Sequence, residues 1–319
     1  MIFWLLLIFC VSCVILVRSG TWVVGALTRI SKFLGWKEFV VASILMAFAS
    51  SLPEIFVGVT SALSRRPELS FGNVIGSNII ALTLIIGIGA VLGKGLKFKG
   101  RILRSSSVYA VIISFLPFIL LLDRRISRID GIILLGSLLF YFKELLREEE
   151  RFTKVFANHF QEGWGSLKLF LKDLLVFFLG VFLLLISAEG VVWSASKLSL
   201  VFNLPLIIIG LFLVALGTSI PEIAFGIKSV IMGHKEMIIG EAVGSVVVNS
   251  ALALGIVGLI APFTIANNLL FYIVGFIFML ITALTFLFFS WTGYKITSKE
   301  ALVLIGIYIL FVLVEIIVK

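Results

Sequence analysis

Charge is scarce in this chain, and so are the residues on which redox and metal chemistry usually draw. Of its 319 residues, 13% are charged, and there are two cysteines, two histidines and six prolines. Hydrophobic residues fill 61% of the positions. A water-soluble domain could not bury that much apolar surface, so the bilayer must serve as solvent. Cys10 and Cys13 both lie in the first apolar run, where they read as small packing residues rather than a disulfide. His159 and His234 fall in gaps between runs, too far apart for a metal motif. Backbone in lipid must satisfy its own hydrogen bonds, which leaves helix bundles or closed barrels, and continuous apolar runs without strict alternation decide for helices.

The net charge of +9 invites a nucleic-acid reading, which the distribution rejects. Lys and Arg sit in short gaps between apolar runs, with no aromatic-interleaved basic surface, so they set topology and no nucleic-acid partner is expected. Residues 2–17 resemble a signal-peptide core, but no basic stretch precedes them and no clean small-x-small cleavage site follows. They read as a retained first span.

Ten spans are expected, making an all-α integral membrane protein. The first covers about 2–33, long and bent near Arg18-Ser19-Gly20, followed by 38–63, 70–93, 103–122 and 130–146. The second set covers about 170–202, 204–232, 238–261, 266–290 and 299–318. Between the sets lies a charged stretch with Glu148-Glu149-Glu150, a solvated helix extension lacking an EF-hand pattern.

What the chain does have is one motif written twice: Ser50-Ser51-Leu52-Pro53-Glu54 and Thr218-Ser219-Ile220-Pro221-Glu222, 168 residues apart. The same offset pairs Ile55, Gly58 and Ser61 with Ile223, Gly226 and Ser229. It also pairs Gly72, Gly76 and Ser77 with Gly240, Gly244 and Ser245, and Gly87-Ile88 with Gly255-Ile256, without a gap. Five spans is an odd number, so the halves enter the membrane from opposite sides as inverted-topology repeats with a site between them. The organisation is then a first repeat over 1–147, a cytoplasmic connection over 148–168, and a second repeat over 169–319. With the N-terminus outside, cytoplasmic gaps hold eighteen Lys and Arg, and external gaps with the C-terminus hold six. Both termini are therefore expected outside the cell membrane.

A carboxylate at bilayer depth is expensive and marks a functional site by default, and neither Glu54 nor Glu222 has an evident basic partner at its depth. Ser50 and Glu54, four apart, share a helix face, with Ser51 one step round. Pro53 should free the carbonyl of Ala49, and Pro221 that of Gly217, opening each helix where carboxylate, hydroxyl and carbonyl oxygens meet. Asn73 and Ser77 lie on one helix face, and Glu241, Ser245 and Asn249 form a stripe of the same period. Gly72-x-x-x-Gly76 and Gly240-x-x-x-Gly244 would let these helices approach their neighbours closely. Blander roles exist for some of them. Membrane serines often bond back to their own helix, and Glu241, in the first turn of its predicted span, could simply cap it. Glu189 is given no role.

All the convergent groups are oxygen donors, which selects hard cations. Two glutamates, two hydroxyls and two carbonyls would offer about eight oxygens, the range calcium takes. No cofactor and no enzymatic reaction are expected, since near-identical half-sites supply no nucleophile and base pair.

As they stand, these residues resemble the calcium/cation antiporter superfamily, specifically its sodium/calcium exchanger branch of prokaryotic type. That family carries two inverted repeats of five helices, each with a G-[TS]-S-[LI]-P-E and a G-N-x-x-G-S-N segment. The resemblance implies exchange of calcium against sodium by alternating access, in a monomer whose partners are inorganic cations and the bilayer. It implies calcium ligation by Glu54, Glu222, Ser50 and Thr218, with backbone carbonyls of Ala47 and Ala215. Ser51, Ser77, Ser219 and Ser245 would line sodium sites, with Asn249 as a further coupling-ion residue and Glu241 and Asn73 as additional candidates. Departures are Ala49-Ser50 for Gly-Thr, Glu241 for Asn, Val246 for Asn, and Ala81 at one of the two positions where the family usually has Asn or Asp; Asn249 fills the other, so this layer has lost one polar group and carries no acid. Proton-coupled antiport on the same fold stays open, because two facing carboxylates repel and a proton would compete with calcium. A passive cation channel fits the mid-helix prolines and close-packed glycines less well.

Overall fold

The computed structural model describes residues 2–33, 48, 50–97, 101–149, 164–233, 235–265, 269–292 and 294–318. Expectations for Ala47, Ala49, His159 and His234 lie outside them. Among the described residues, thirteen α-helices appear in chain order. They are α1 (Ile2–Phe33), α2 (Leu52–Leu63), α3 (Pro67–Ile80), α4 (Ile86–Leu92), α5 (Arg101–Leu120) and α6 (Arg128–Glu149). Then follow α7 (Trp164–Phe202), α8 (Leu206–Ile209), α9 (Ala215–Ile231), α10 (Lys235–Val248), α11 (Leu254–Ile260), α12 (Leu269–Trp291) and α13 (Ser298–Val318). Three five-residue π turns, Ala81–Ile85, Gly210–Val214 and Asn249–Ala253, join α3 to α4, α8 to α9 and α10 to α11.

Among the described residues, eight helices are long and apolar enough to cross a membrane. The expected second span is represented by α2, whose described part is 12 residues. The expected fifth span coincides with α6, whose ends carry Arg128, Asp130, Lys143, Glu144 and Arg147. The expected bend in the first span is not a break: α1 runs as one helix through Arg18-Ser19-Gly20. There the Ser19 hydroxyl bonds back to the carbonyls of Ile15 and Leu16 at 2.7 and 3.0 Å, so its polar group is satisfied within the helix.

Helix α1 packs along α7 in antiparallel fashion. Added methyls at Gly180 and Gly190 would run into Val23 and Ser12, so the missing Cβ atoms set the spacing. Arg29 and Asp173 close one end of the pair at 2.7 Å. The cysteines are free, Cys13 buried and Cys10 exposed.

The π turns at Ala81–Ile85 and Asn249–Ala253 lie 168 residues apart, the offset of the sequence repeat. Packing between the halves is reciprocal as well. In one direction α4 meets α13, where a methyl on Gly87 would strike Ala301 and Ile305. In the other, α11 meets α6, where Gly255 and Gly258 face Gly131. Two short antiparallel ladders obey the same exchange. β1 (Leu96–Lys97) pairs with β4 (Lys295–Ile296), and β2 (Arg125–Ile126) pairs with β3 (Phe263–Thr264).

Candidate functional site

Helix α3 runs through the middle of the molecule with Asn73, Ser77 and Asn78 fully buried. It can do so because Gly72 and Gly76 present no side chain: methyls there would collide with the backbone at Ile207 and Leu211. The close approach expected for this glycine pair is present, against the π turn that leads into α9.

On the far side stands α9, carrying Thr218, Ser219 and Glu222. The expected opening at Pro221 is not where the helix is irregular, for α9 is unbroken from Ala215 to Ile231 with Pro221 inside it. The irregularity lies about two to three turns earlier, in the π turn Gly210–Val214. A π turn inserts a residue and shifts the hydrogen-bond register, and such turns recur at functional sites. In the first copy α2 begins at Leu52 with Ser51 as its N-cap, so Pro53 occupies the opening turn, where its missing N–H costs nothing.

Glu54 of α2 is fully buried. Ser77 donates to its Oε1 at 3.3 Å, and the Ser77 hydroxyl is 3.4 Å from that of Thr218. Thr218 reaches Asn73 Oδ1 and the Ala215 carbonyl, both at 3.2 Å, while Ser219 reaches Ser77 at 3.3 Å. Side chains from the two halves thus share one buried cluster of oxygens. These contacts are longer than the roughly 2.7–2.8 Å usual between oxygens, so the groups crowd together without binding each other tightly.

Many oxygens in the cluster have no hydrogen-bond partner, among them Glu54 Oε2, Ser51 Oγ and both carboxylate oxygens of Glu222 and Glu241. Ser219 and Ser245 lie near Glu222 without completing a bond to it. Ser245 instead makes a long 3.4 Å contact to the Ala242 carbonyl. Glu54 and Glu241 both act on Glu222 electrostatically. Asn249, the first residue of its π turn, is fully buried with neither amide atom paired. Buried polar groups without partners cost about 1–3 kcal/mol each, and charged ones more, so a site that keeps several is built for something that binds them. Among the described residues, no three acidic, His or Cys side chains are close enough to hold a metal unaided. Hydroxyl and amide oxygens would have to complete any ion's shell.

A cavity of about 280 Å³ opens beside the cluster, lined by Gly20, Thr21 and Gly25 of α1, by Ser50 and Pro53, and by Pro221, Glu222 and Glu241. Sequence reasoning did not anticipate the α1 residues, although the small side chains of Gly20 and Gly25 on one helix were a readable signal. It also missed the 2.8 Å bond from Asn78 to Ser250. Glu241 was offered both as a cap and as a site residue. Its helix begins at Lys235, earlier than expected, so Glu241 lies well past the first turn and the capping role fails.

Buried acids shared between two helical halves, set among helices long enough for a bilayer, define a polytopic membrane protein with an internal polar site. A family profile described as sodium/calcium exchanger protein matches residues 4–142 and 172–317. The chain belongs to that family. The sodium/calcium exchanger MaX1 of Methanosarcina acetivorans is 27% identical, over 97% of both chains. The inner membrane protein YrbG of Escherichia coli K12 is 27% identical, over 79% of this chain and 78% of its own. Solved structures of the sodium-calcium exchanger NCX_Mj share the fold. One, soaked with sodium and strontium, has a TM-score of 0.67 at 23% identity and covers 98% of each chain.

Proposed function

We propose that this chain is a secondary active antiporter that exchanges calcium for sodium across the cell membrane by alternating access. The observation that carries the reading is the cluster joining Glu54 and Ser77 of the first half to Thr218 and Ser219 of the second, at 3.3–3.4 Å. A cation drawn between these oxygens would neutralise the acids and tie the halves together. Calcium would be held by Glu54, Glu222, Ser50 and Thr218, with the carbonyls of Ala47 and Ala215. Sodium would use Ser51, Ser77, Ser219, Ser245 and Asn249. Asn73 is a supporting residue, since its Oδ1 holds Thr218.

The reciprocal packing of α4 on α13 and of α11 on α6 supports two inverted repeats of five spans, because a contact and its exchanged copy are what a two-fold relation produces. The repeats would cover 1–147 and 169–319, joined through 148–168, with both termini outside. The names of MaX1 and NCX_Mj agree with the choice of ions. Proton-driven calcium transport is the second reading, and the specific observation in its favour is the third acid, Glu241, beside the pair.

The test is purified protein in liposomes. Calcium uptake is expected under an outward sodium gradient, to saturate with calcium, and to vanish in Glu54→Gln and Glu222→Gln protein that elutes as wild type does. Uptake under a proton gradient alone would overturn sodium coupling, and uptake that never saturates would indicate a channel.

A further inference from the structure

The two halves of the cluster are not equivalent, and one difference lies in the Thr218–Asn73 pair and its counterpart. In one half, the hydroxyl of Thr218 bonds the amide oxygen of Asn73 at 3.2 Å, closing the pair on itself. The offset of 168 residues places Ser50 opposite Thr218 and Glu241 opposite Asn73. Ser50 and Glu241 both line the cavity beside α1. Glu241 is 7% exposed and neither of its carboxylate oxygens has a hydrogen-bond partner. Among the described residues, no basic side chain lines that cavity. Glu54, by contrast, is not among the cavity's lining residues. A negative group buried at bilayer depth without a counter-charge is costly, and here the open space beside it is large enough for a partly hydrated ion.

We propose that Glu241 forms a further site for one monovalent metal cation on the cavity side of the Glu54–Ser77–Thr218 cluster, bordering the calcium cage through Glu222 and Ser50, which the two sites share. The inference rests on the exchanger reading above and extends it. One calcium ion balances two of the three carboxylates and leaves the third, whereas three sodium ions balance all three. The sodium-loaded protein therefore holds one ion more than the Glu54–Glu222 pair alone would require. Coulomb attraction in this low-dielectric setting is strong enough to hold a sodium ion whose shell the serine and water oxygens complete. Alone among the acids of the cluster, Glu241 has an uncharged counterpart in the other half, so it sets the ion count without being needed for the shared cage.

The measurement is equilibrium binding of radioactive sodium to detergent-purified protein at fixed pH, counted as ions per chain, with radioactive calcium measured in parallel. Glu241→Asn gives the second half the residue the first half already has, and Glu241→Asp keeps the charge on a shorter stem. Glu241→Asn is expected to bind one sodium fewer per chain while its calcium affinity changes by less than about fivefold. Glu241→Asp is expected to keep the wild-type count. In liposomes, the membrane potential at which calcium flux stops should shift in Glu241→Asn to the value for one fewer sodium per calcium. An unchanged sodium count in Glu241→Asn overturns the proposal. So does loss of calcium binding with sodium, which would make Glu241 a calcium ligand, and so does a missing ion that proves to be a proton released at fixed sodium. Because binding is counted without transport, a wild-type protein that binds sodium but exchanges nothing would sink the exchanger reading and leave this site standing.

Discussion

A hydroxyl has one proton to give, and Ser77 stands within reach of three oxygens: Glu54 Oε1 at 3.3 Å, Thr218 at 3.4 Å and Ser219 at 3.3 Å. It can satisfy only one as donor, so its lone pairs stay available to a cation. Removing it in Ser77→Ala strips the point where both halves meet and leaves Glu54 without its donor. A hydrogen bond to a charged group contributes about 1.5–3 kcal/mol, and a hydroxyl oxygen held on an ion is expected to contribute as much, so sodium affinity should fall about tenfold to hundredfold, read by radioactive sodium binding to purified protein. Wild-type sodium affinity would place Ser77 outside the sodium sites. At this scale the sequence was legible wherever chemistry is improbable in lipid. Glu54 and Glu222 declared themselves because carboxylates there need a reason. The Asn78–Ser250 bond did not, because its partners lie 172 residues apart and off the repeat register. The role of Glu241 stayed ambiguous because it depended on where α10 begins, and helix ends are the least readable feature of a uniformly apolar run.

Among the elements, glycine spacing carries more information than hydrophobicity. Gly76 faces the backbone of Leu211 and the methyl of Ala215, so α3 and the segment leading into α9 meet through bare backbone. Gly76→Ala should therefore force these elements apart and lower stability by about 1–3 kcal/mol, against the gain of about 1 kcal/mol that alanine brings to a helix. Gly136 of α6 has nothing within 4 Å of the space a methyl would fill, and Gly136→Ala should leave the thermal midpoint unchanged or slightly raised. Thermal unfolding of the two variants in detergent separates the readings; equal midpoints would mean that close approach at Gly76 contributes nothing. The sequence announced this contact through its Gly-x-x-x-Gly spacing. It could not announce the π turns, because a one-residue register shift leaves no trace where nearly every position is apolar. That is why the break expected at Pro221 lies instead at Gly210–Val214.

Across the whole molecule, the reciprocal contacts constrain topology in a way that charge counts alone cannot. Helix α5 separates the β1·β4 ladder from the β2·β3 ladder, and its 20 residues span about 30 Å, the thickness of the hydrocarbon core. Under the proposed topology the two ladders would lie on opposite sides of the membrane. Both carry basic residues, Lys97 with Lys295 in one and Arg125 in the other, so local charge does not say which is inside. The proposed orientation rests on the excess of eighteen over six across all the gaps, and under it the β1·β4 ladder would face the cytoplasm. In protein with both native cysteines replaced, a cysteine at Lys94 should be protected in intact cells from a membrane-impermeant maleimide and react once the membrane is opened. A cysteine at Arg65, in the gap between α2 and α3, should react in intact cells. The reverse pattern would invert the topology and leave the two-fold relation untouched. Labelling of both in intact cells would break the inverted repeat, because α3 with α4 would no longer separate two sides of a bilayer.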